Sequence, residues 1–300
     1  MNKQTIKKWL KASRPHTMGL SVAVILAGAC QVGWDNLRLD ILVLSLLSAA
    51  GFQLVSNFAN DYGDFKKGVD DDRPEAYRAL SAGNFTASQV KTAIIVTAVA
   101  SLLCVMLLVW SSPVSSAGKQ TMFALGIASV LAAVGYTMGK RPYGYYALGD
   151  VMVFLFFGLV GVVGSYYLQG GQLARGGIWL VAVAFGAFST SVLNINNLRD
   201  CEKDRQHQKI TIANLLGQSV ALLYQRYLFV GAVLALLIYA LSVQWWGLSL
   251  PLLAAGLSWA IYRQLAEAKT HGDYNQCLAM TVKFTLLLSL PAALVGLVGC

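Results

Sequence analysis

Residues 41–64 read ILVLSLLSAAGFQLVSNFANDYGD. The run is continuous rather than alternating, and it is too long for a strand. A membrane-crossing helix needs about 20 mostly apolar residues to pass about 30 Å of hydrocarbon. Residues 41–60 supply that length, and the helix then turns polar through Gln53, Asn57, Asn60, Asp61 and Asp64. Asn57, Asp61 and Asp64 are spaced by four and three and share a face, and Asn60 and Asp64 form a second i,i+4 pair. Polar side chains at membrane depth are costly and face a cavity or the bundle interior. This stretch therefore predicts a bilayer helix with a site at its end.

The rest of the chain agrees with that reading. Of its 300 residues, 56% are hydrophobic and only 12% are charged, about half the charge of an average soluble domain. Such hydrophobicity excludes disorder. Five scattered cysteines exclude a disulfide scaffold and suggest no metal-type spacing. The charged amphipathic start leads into a full-length span, so no cleavable signal is expected. Nine spans are expected, at 18–34, 41–60, 92–112, 120–139, 151–168, 177–198, 227–243, 247–265 and 284–299; the last is short and carries Pro291. With the N-terminus in the cytoplasm, the cytoplasmic segments hold 20 of the 23 basic residues, leaving Arg38, Lys119 and Arg175 opposite. That sorting obeys the positive-inside rule. The net charge of +9 is thus mostly a topology signal, and no nucleic-acid partner is expected. Lys3, Lys7, Lys8 and Lys11 read as surface anchors for anionic head groups.

Acids contribute little to orientation, so their clustering needs another cause. The windows 61–78 and 199–209 contain 17 of the 37 charged residues. The sixth span ends as the second does, with Asn194, Asn196, Asn197, Asp200 and Asp204. Asn196, Asp200 and Asp204 form one stripe over two turns. Asn60-Asp61-Tyr62-Gly63-Asp64 aligns without a gap on Asn196-Asn197-Leu198-Arg199-Asp200. The expected architecture is therefore all-α: two pseudo-repeated four-helix units plus one helix. Residues 1–300 form a single membrane-embedded domain, with 61–90 and 199–225 as cytoplasmic site loops.

Carboxylates and amides from two helices suit Mg²⁺, which takes oxygen ligands and shares them with phosphate. Lys66, Lys67, Arg73, Arg78, Lys140, Arg141, Arg199 and Lys209 would surround a polyanion. A bilayer-embedded site of this kind implies a lipid-linked diphosphate, its tail among the helices. If the tail is allylic, departure of diphosphate leaves a stabilised carbocation that an electron-rich ring captures in a water-free cavity. Tyr136, Tyr143, Tyr145 and Tyr146 at the fourth-span exit are equally a cation shield or an interfacial belt.

At these residues the sequence resembles the UbiA superfamily of intramembrane aromatic prenyltransferases. The resemblance implies a nine-helix bundle with two acidic motifs, Asn-x3-Asp-x3-Asp and Asp-x3-Asp. Asp200 and Asp204 match the second. Asn60 and Asp64 match the first, whose third position is Gly68 here; Asp70, Asp71 or Asp72 then supplies the third ligand, Asp70 as in the menaquinone-type branch. That branch is also similar at Ser13-Arg14-Pro15, at 141–145, at Leu148-Gly149-Asp150 and at 193–200, with Lys209 and Thr211 beyond. The implied reaction is Mg²⁺-dependent prenylation of 1,4-dihydroxy-2-naphthoate by a polyprenyl diphosphate with loss of CO₂, in a bacterial inner membrane with the site facing the cytoplasm. Asp64, Asp200 and Asp204 would be catalytic, and Asn60, Asp64, Asp70, Asp200 and Asp204 metal ligands. Lys66, Lys67, Arg73, Lys140, Arg141, Arg199 and Lys209 would hold diphosphate. Arg14, Asn57, Asp61, Asn196, Asn197, Tyr143 and Asp150 would contact the acceptor or support the site.

Blander roles stand beside these. Asn and Asp favour helix ends, Asp61 and Asn197 suit bridges between helices, and Lys140, Arg141 and Arg14 suit topology anchors. Asp150 is a base, a substrate contact or a cap. His16, His207 and His271 read as solvated loop residues. Other acceptors (4-hydroxybenzoate, homogentisate) and a secondary transporter remain as alternatives; acids clustered on one face rather than at midplane count against transport.

Overall fold

The computed structural model describes residues 3–68, 80, 83–243 and 245–299, the side chains of Trp245 and Trp246 excepted. The described residues are 83% helical. Among the described residues the only β pairing is an isolated bridge between Tyr146 and Ile210.

The helices are α1 (Lys3–Ala12), α2 (Pro15–Ala29), α3 (Leu39–Lys66), α4 (Ala87–Ser111), α5 (Ser116–Gly135), α6 (Gly149–Val153), α7 (Gly164–Leu168), α8 (Gly177–Arg199), α9 (Cys201–Gln206), α10 (Ile212–Leu216), α11 (Gln218–Leu241), α12 (Ser249–Ala266) and α13 (His271–Gly299). A π-helical stretch, Phe154–Val163, joins α6 to α7 as one span. Among the described residues, eight helices are long and apolar enough to cross a membrane. The expected span 247–265 is α12, which is not among the eight. The short run 284–299 is the second half of α13, whose 29 residues carry Pro291 inside the helix. Its polar first turns hid its true start from a hydropathy reading.

Local sequence explains the ends. Pro15 sits at the first position of α2, where its missing N–H costs nothing. Before it, Arg14 has φ 49°, a left-handed conformation that breaks α1 from α2. Thr86 and Gln89 form a capping box that starts α4, and Thr211 and Asn214 one that starts α10. α3 has 28 residues and is therefore about 42 Å long, so its last turns exceed the hydrocarbon thickness.

α8 is the central helix, buried nearly all round, as expected of a helix apolar on every side. Phe188 meets Phe284 of α13 edge-on at 5.1 Å and Phe229 of α11 at 6.3 Å. The π-helical stretch approaches α8 closely: a Cβ on Gly158 would lie 2.9 Å from Gly186 Cα. In the first four spans α3 packs on α2, α4 and α5; in the next, α8 packs on the π-helical stretch and α11, while α13 closes the bundle against α2 and α8. Outward faces are apolar, as along Val96, Val99, Leu103 and Trp110 of α4, and suit contact with lipid.

Candidate functional site

One cavity of about 550 Å³ occupies the bundle. Its wall on α3 is a single stripe through Ser45, Phe52, Ser56, Asn60 and Asp64, about 28 Å of helix. The far end is apolar, with Val105, Leu108, Met122, Phe156 and Leu168; the near end is polar, with Arg14, Asn60, Asp64, Asn196, Arg199, Asp200 and Lys209. The ends of α3 and α8 thus meet across one space. Asn60 and Asp64 face Asn196 and Asp200, in keeping with their alignment.

Asp64 is buried, and Tyr145 Oη donates to its Oδ1 at 3.2 Å. The Tyr145 ring also receives Lys67 Nζ at 3.6 Å, with Lys209 Nζ 5.9 Å from its centroid. Backbone bonds fix this tyrosine: Ile210 N donates to Tyr145 O at 3.2 Å, and Ala147 N to Ile210 O at 2.9 Å. A turn after α5 and the loop after α9 therefore join the two acidic helix ends. Arg199 donates to both carboxylate oxygens of Asp200, Nε to Oδ1 at 3.0 Å and Nη2 to Oδ2 at 2.7 Å; it also donates to Asn196 Oδ1 at 2.8 Å and Asn275 Oδ1 at 2.6 Å. Asn275 ties α13 to the site.

Asp204 is fully buried and stands behind Lys209, whose Nζ lies 3.2 Å from its Oδ2. Lys209, not Asp204, lines the cavity. Burial alone would lower the Lys209 pKa, but Asp204, Tyr136, Asp64 and Asp200 outweigh it and hold the ammonium above its ordinary value. Asp61 and Asn197, each one residue past a cavity-facing asparagine, are buried off the cavity wall. Asp61 Oδ2 accepts from Leu80 N at 3.2 Å, securing the following loop. Asn57 Nδ2 donates to Ser13 O at 2.8 Å and Thr17 Oγ1 at 3.1 Å, so it supports the α1–α2 junction.

Tyr143 lines the cavity and donates to Ala132 O at 2.8 Å. Asp150 is buried beside Tyr224, off the wall. Lys66, Lys140 and Arg141 are exposed and also off the wall, the placement of topology anchors. Asp70, Asp71, Asp72, Arg73 and Arg78 lie outside the described residues. Sequence reasoning missed Tyr145 as the residue holding Asp64, Asn275 as the partner of Arg199, and His16 as a cavity residue. The tyrosine cluster at 143–146 was the available signal for the first. The other two are single residues without a pattern.

Among the described residues no three His, Cys, Asp or Glu side chains stand close enough to hold a metal. The donors that share the cavity, Asn60, Asp64, Asn196 and Asp200, are all oxygen donors and fit a hard cation bridged to phosphate oxygens.

The end of α3 is placed by a close approach. A Cβ on Gly63 would lie 2.7 Å from Thr137 Oγ1 and O, while Thr137 Oγ1 donates to Ala59 O at 2.9 Å and contacts Asn60 Oδ1 at 3.2 Å. Gly63→Ala is expected to displace Asn60 and Asp64 together, costing about 1–3 kcal/mol and lowering kcat. Thermal melting and steady-state kinetics on the purified variant check this; unchanged kcat would show that the approach does not set the site.

Known proteins resemble this chain in sequence and in fold. The sequence model described as UbiA prenyltransferase family matches residues 20–297. The chain is 39% identical to the 1,4-dihydroxy-2-naphthoate octaprenyltransferase of Escherichia coli (strain K12) over 298 residues, covering 97% of this chain and 96% of that one. It is 37% identical to the enzyme of the same name from Haemophilus influenzae, over 85% of each chain. Among solved structures, a UbiA homolog from Aeropyrum pernix K1 superposes with a TM-score of 0.70 at 15% identity, over 93% of this chain and 96% of that one. A UbiA homolog from Archaeoglobus fulgidus bound to DMAPP and Mg²⁺ gives 0.67 at 14% identity, over 94% and 99%. These two likenesses show the fold.

Proposed function

The chain belongs to the UbiA prenyltransferase family, and from that premise we propose that it transfers a polyprenyl group from an allylic polyprenyl diphosphate to 1,4-dihydroxy-2-naphthoate, releasing diphosphate and CO₂ and giving demethylmenaquinol, the hydroquinone that a separate two-electron oxidation converts to demethylmenaquinone. The observation that carries this is the cavity that unites two Asn/Asp helix ends with an apolar far end, along about 28 Å of α3 wall. The names and coverage of the naphthoate octaprenyltransferases support the acceptor.

Asn60, Asp64 and Asp200, with Asp70 and Asp204 completing the motifs, would hold Mg²⁺, which supplies positive charge against the charge developing on diphosphate. Lys67, Lys209 and Arg199 add cationic charge at the same end. The prenyl tail lies along α3 toward the apolar far end, against Val105, Leu108, Met122 and Phe156 of α4, α5 and the π-helical stretch. Breaking the C–O bond to diphosphate gives the allylic cation. The ring carbon bearing the carboxyl group attacks it, and the electron pair of the C–CO₂ bond returns to the ring as CO₂ leaves. Tyr136 and Tyr143 line the polar end and present π faces there. The enclosing helices exclude water, which would otherwise capture the cation. Arg14 and His16, also on the wall, suit the acceptor carboxylate.

The architecture we propose has nine crossings, α12 being added to the eight apolar helices. The repeated packing of α3 and α8 supports two four-helix units plus α13 in one domain spanning residues 1–300. The sorting of basic residues supports a cytoplasmic N-terminus, with the loops 61–90 and 199–225 and the polar end of the cavity on the same face, and the bacterial relatives support an inner membrane.

Acceptor competition tests the assignment. Offered equal 1,4-dihydroxy-2-naphthoate and 4-hydroxybenzoate with polyprenyl diphosphate and Mg²⁺, the purified enzyme is expected to prenylate the naphthoate and to stop when the metal is chelated. Product from 4-hydroxybenzoate alone would overturn the acceptor.

A further inference from the structure

We propose that α1 is a docking surface for an anionic lipid bilayer, and that docking holds the Arg14–Thr17 segment at the cavity mouth. α1 ends at Ala12 and α2 begins at Pro15, so two residues separate α1 from a span that enters the hydrocarbon. The helix is therefore confined to the membrane surface.

Three stripes run along α1 at helical spacing. The first packs inward: the Trp9 ring stacks on Phe85 at 3.9 Å and meets Phe58 edge-on at 5.6 Å, and Ala12 is buried. Beside it lie Ile6 and Leu10, one turn apart and 43% and 58% exposed. Beyond them come Lys3, Lys7 and Lys11 at i, i+4 and i+8, all exposed, with Lys8 on the opposite flank. Packing accounts for Trp9 and leaves Ile6 and Leu10 open. A bilayer interface accounts for the other two stripes: apolar side chains enter the acyl boundary while lysine ammonium groups extend into the head groups. No acid within residues 3–12 offsets the four lysines, so anionic head groups are selected.

The same helix is tied to the cavity. Through Asn57, α3 holds Ser13 O and Thr17 Oγ1, the two sides of the junction. Between them Arg14 is held at φ 49°, a conformation that persists where the surroundings enforce it. Arg14, His16 and Thr17 line the cavity. With α1 undocked, that segment loses one of its two anchors. The coupling rests on the function proposed above; the docking does not.

The full chain is placed in nanodiscs of phosphatidylcholine with or without phosphatidylglycerol, and amide hydrogen exchange of residues 3–12 is compared with that of α8. With phosphatidylglycerol, exchange in α1 is expected to slow by at least about tenfold, while α8 does not change. The variant K3Q/K7Q/K8Q/K11Q, and high salt, are expected to abolish the difference. Turnover is expected to fall severalfold for the wild-type chain without phosphatidylglycerol and to be indifferent to lipid in the variant. Equal α1 exchange in both lipids would overturn the docking. Lipid-dependent exchange with lipid-indifferent turnover would overturn the coupling. Exchange reads the docking even if no prenyl transfer is found.

Discussion

Asp64→Asn and Asp200→Asn are each expected to lower turnover by about 10³-fold while the protein stays folded and membrane-embedded. Removing one group that acts on developing charge costs about 10²–10³-fold, and a lost metal ligand belongs at the upper end. Asparagine keeps the shape and an oxygen acceptor for Tyr145 Oη at position 64, so the change removes charge rather than packing. At position 200 it also leaves Arg199 its bonds to Asn196 and Asn275. The companion variant Asp61→Asn is expected to lose far less, because Asp61 is turned from the cavity and bonds Leu80 N. Single-turnover assays with thermal melting on all three check this. Full activity in Asp64→Asn or Asp200→Asn would remove the metal assignment.

Lys209→Met is expected to cost the largest amount of stability, about 3–5 kcal/mol, because it removes the ammonium 3.2 Å from the buried Asp204 carboxylate. The double variant Lys209→Met with Asp204→Leu is expected to recover most of that loss, since no buried charge is then stranded. Lys209→Met alone is expected to show a raised KM for the prenyl diphosphate, because Lys209 lines the cavity; the double variant, which also removes Asp204, is read for stability. The pH dependence follows from the direction of the shift. The folded pKa of Lys209 lies above its unfolded value, so its contribution is fully present below about pH 10.4 and is lost as pH rises through the folded value. Melting temperatures between pH 6 and 9 should therefore show no slope from this group. A double variant no more stable than Lys209→Met would contradict the stranded-charge explanation.

The sequence shows one end of the site well and the other poorly, for physical reasons. Asn60, Asp64, Asn196 and Asp200 were visible because polar residues at helical spacing at the end of an apolar run have few uses. Asp61, expected on one face with Asn57 and Asp64, is instead off the cavity wall and accepts from Leu80 N; like Asn197 it lies one position past a cavity-facing asparagine, about 100° away on a helix. Tyr145 and Lys209 meet only because the loops 143–147 and 209–211 exchange backbone hydrogen bonds, a pairing between distant segments that no local pattern encodes. Asn275 and His16 are lone polar residues whose neighbours come from α8 and from the break at Arg14. In the fold, hydropathy located the spans but misjudged α13, because the polar stretch from His271 to Asn275 is helical in fact and does not read as apolar. The π-helical stretch 154–163 was equally hidden; its residues are as apolar as those of any span, and only the approach of Gly158 to Gly186 distinguishes it.

The most direct measurement is the fate of the acceptor's carboxyl group. Purified protein is incubated with Mg²⁺, a polyprenyl diphosphate and carboxyl-labelled 1,4-dihydroxy-2-naphthoate, and released CO₂ is counted against prenylated product. One labelled CO₂ per prenyl transfer is the expected result. Prenylated product that retains the label, or no release while 4-hydroxybenzoate is prenylated instead, would contradict it.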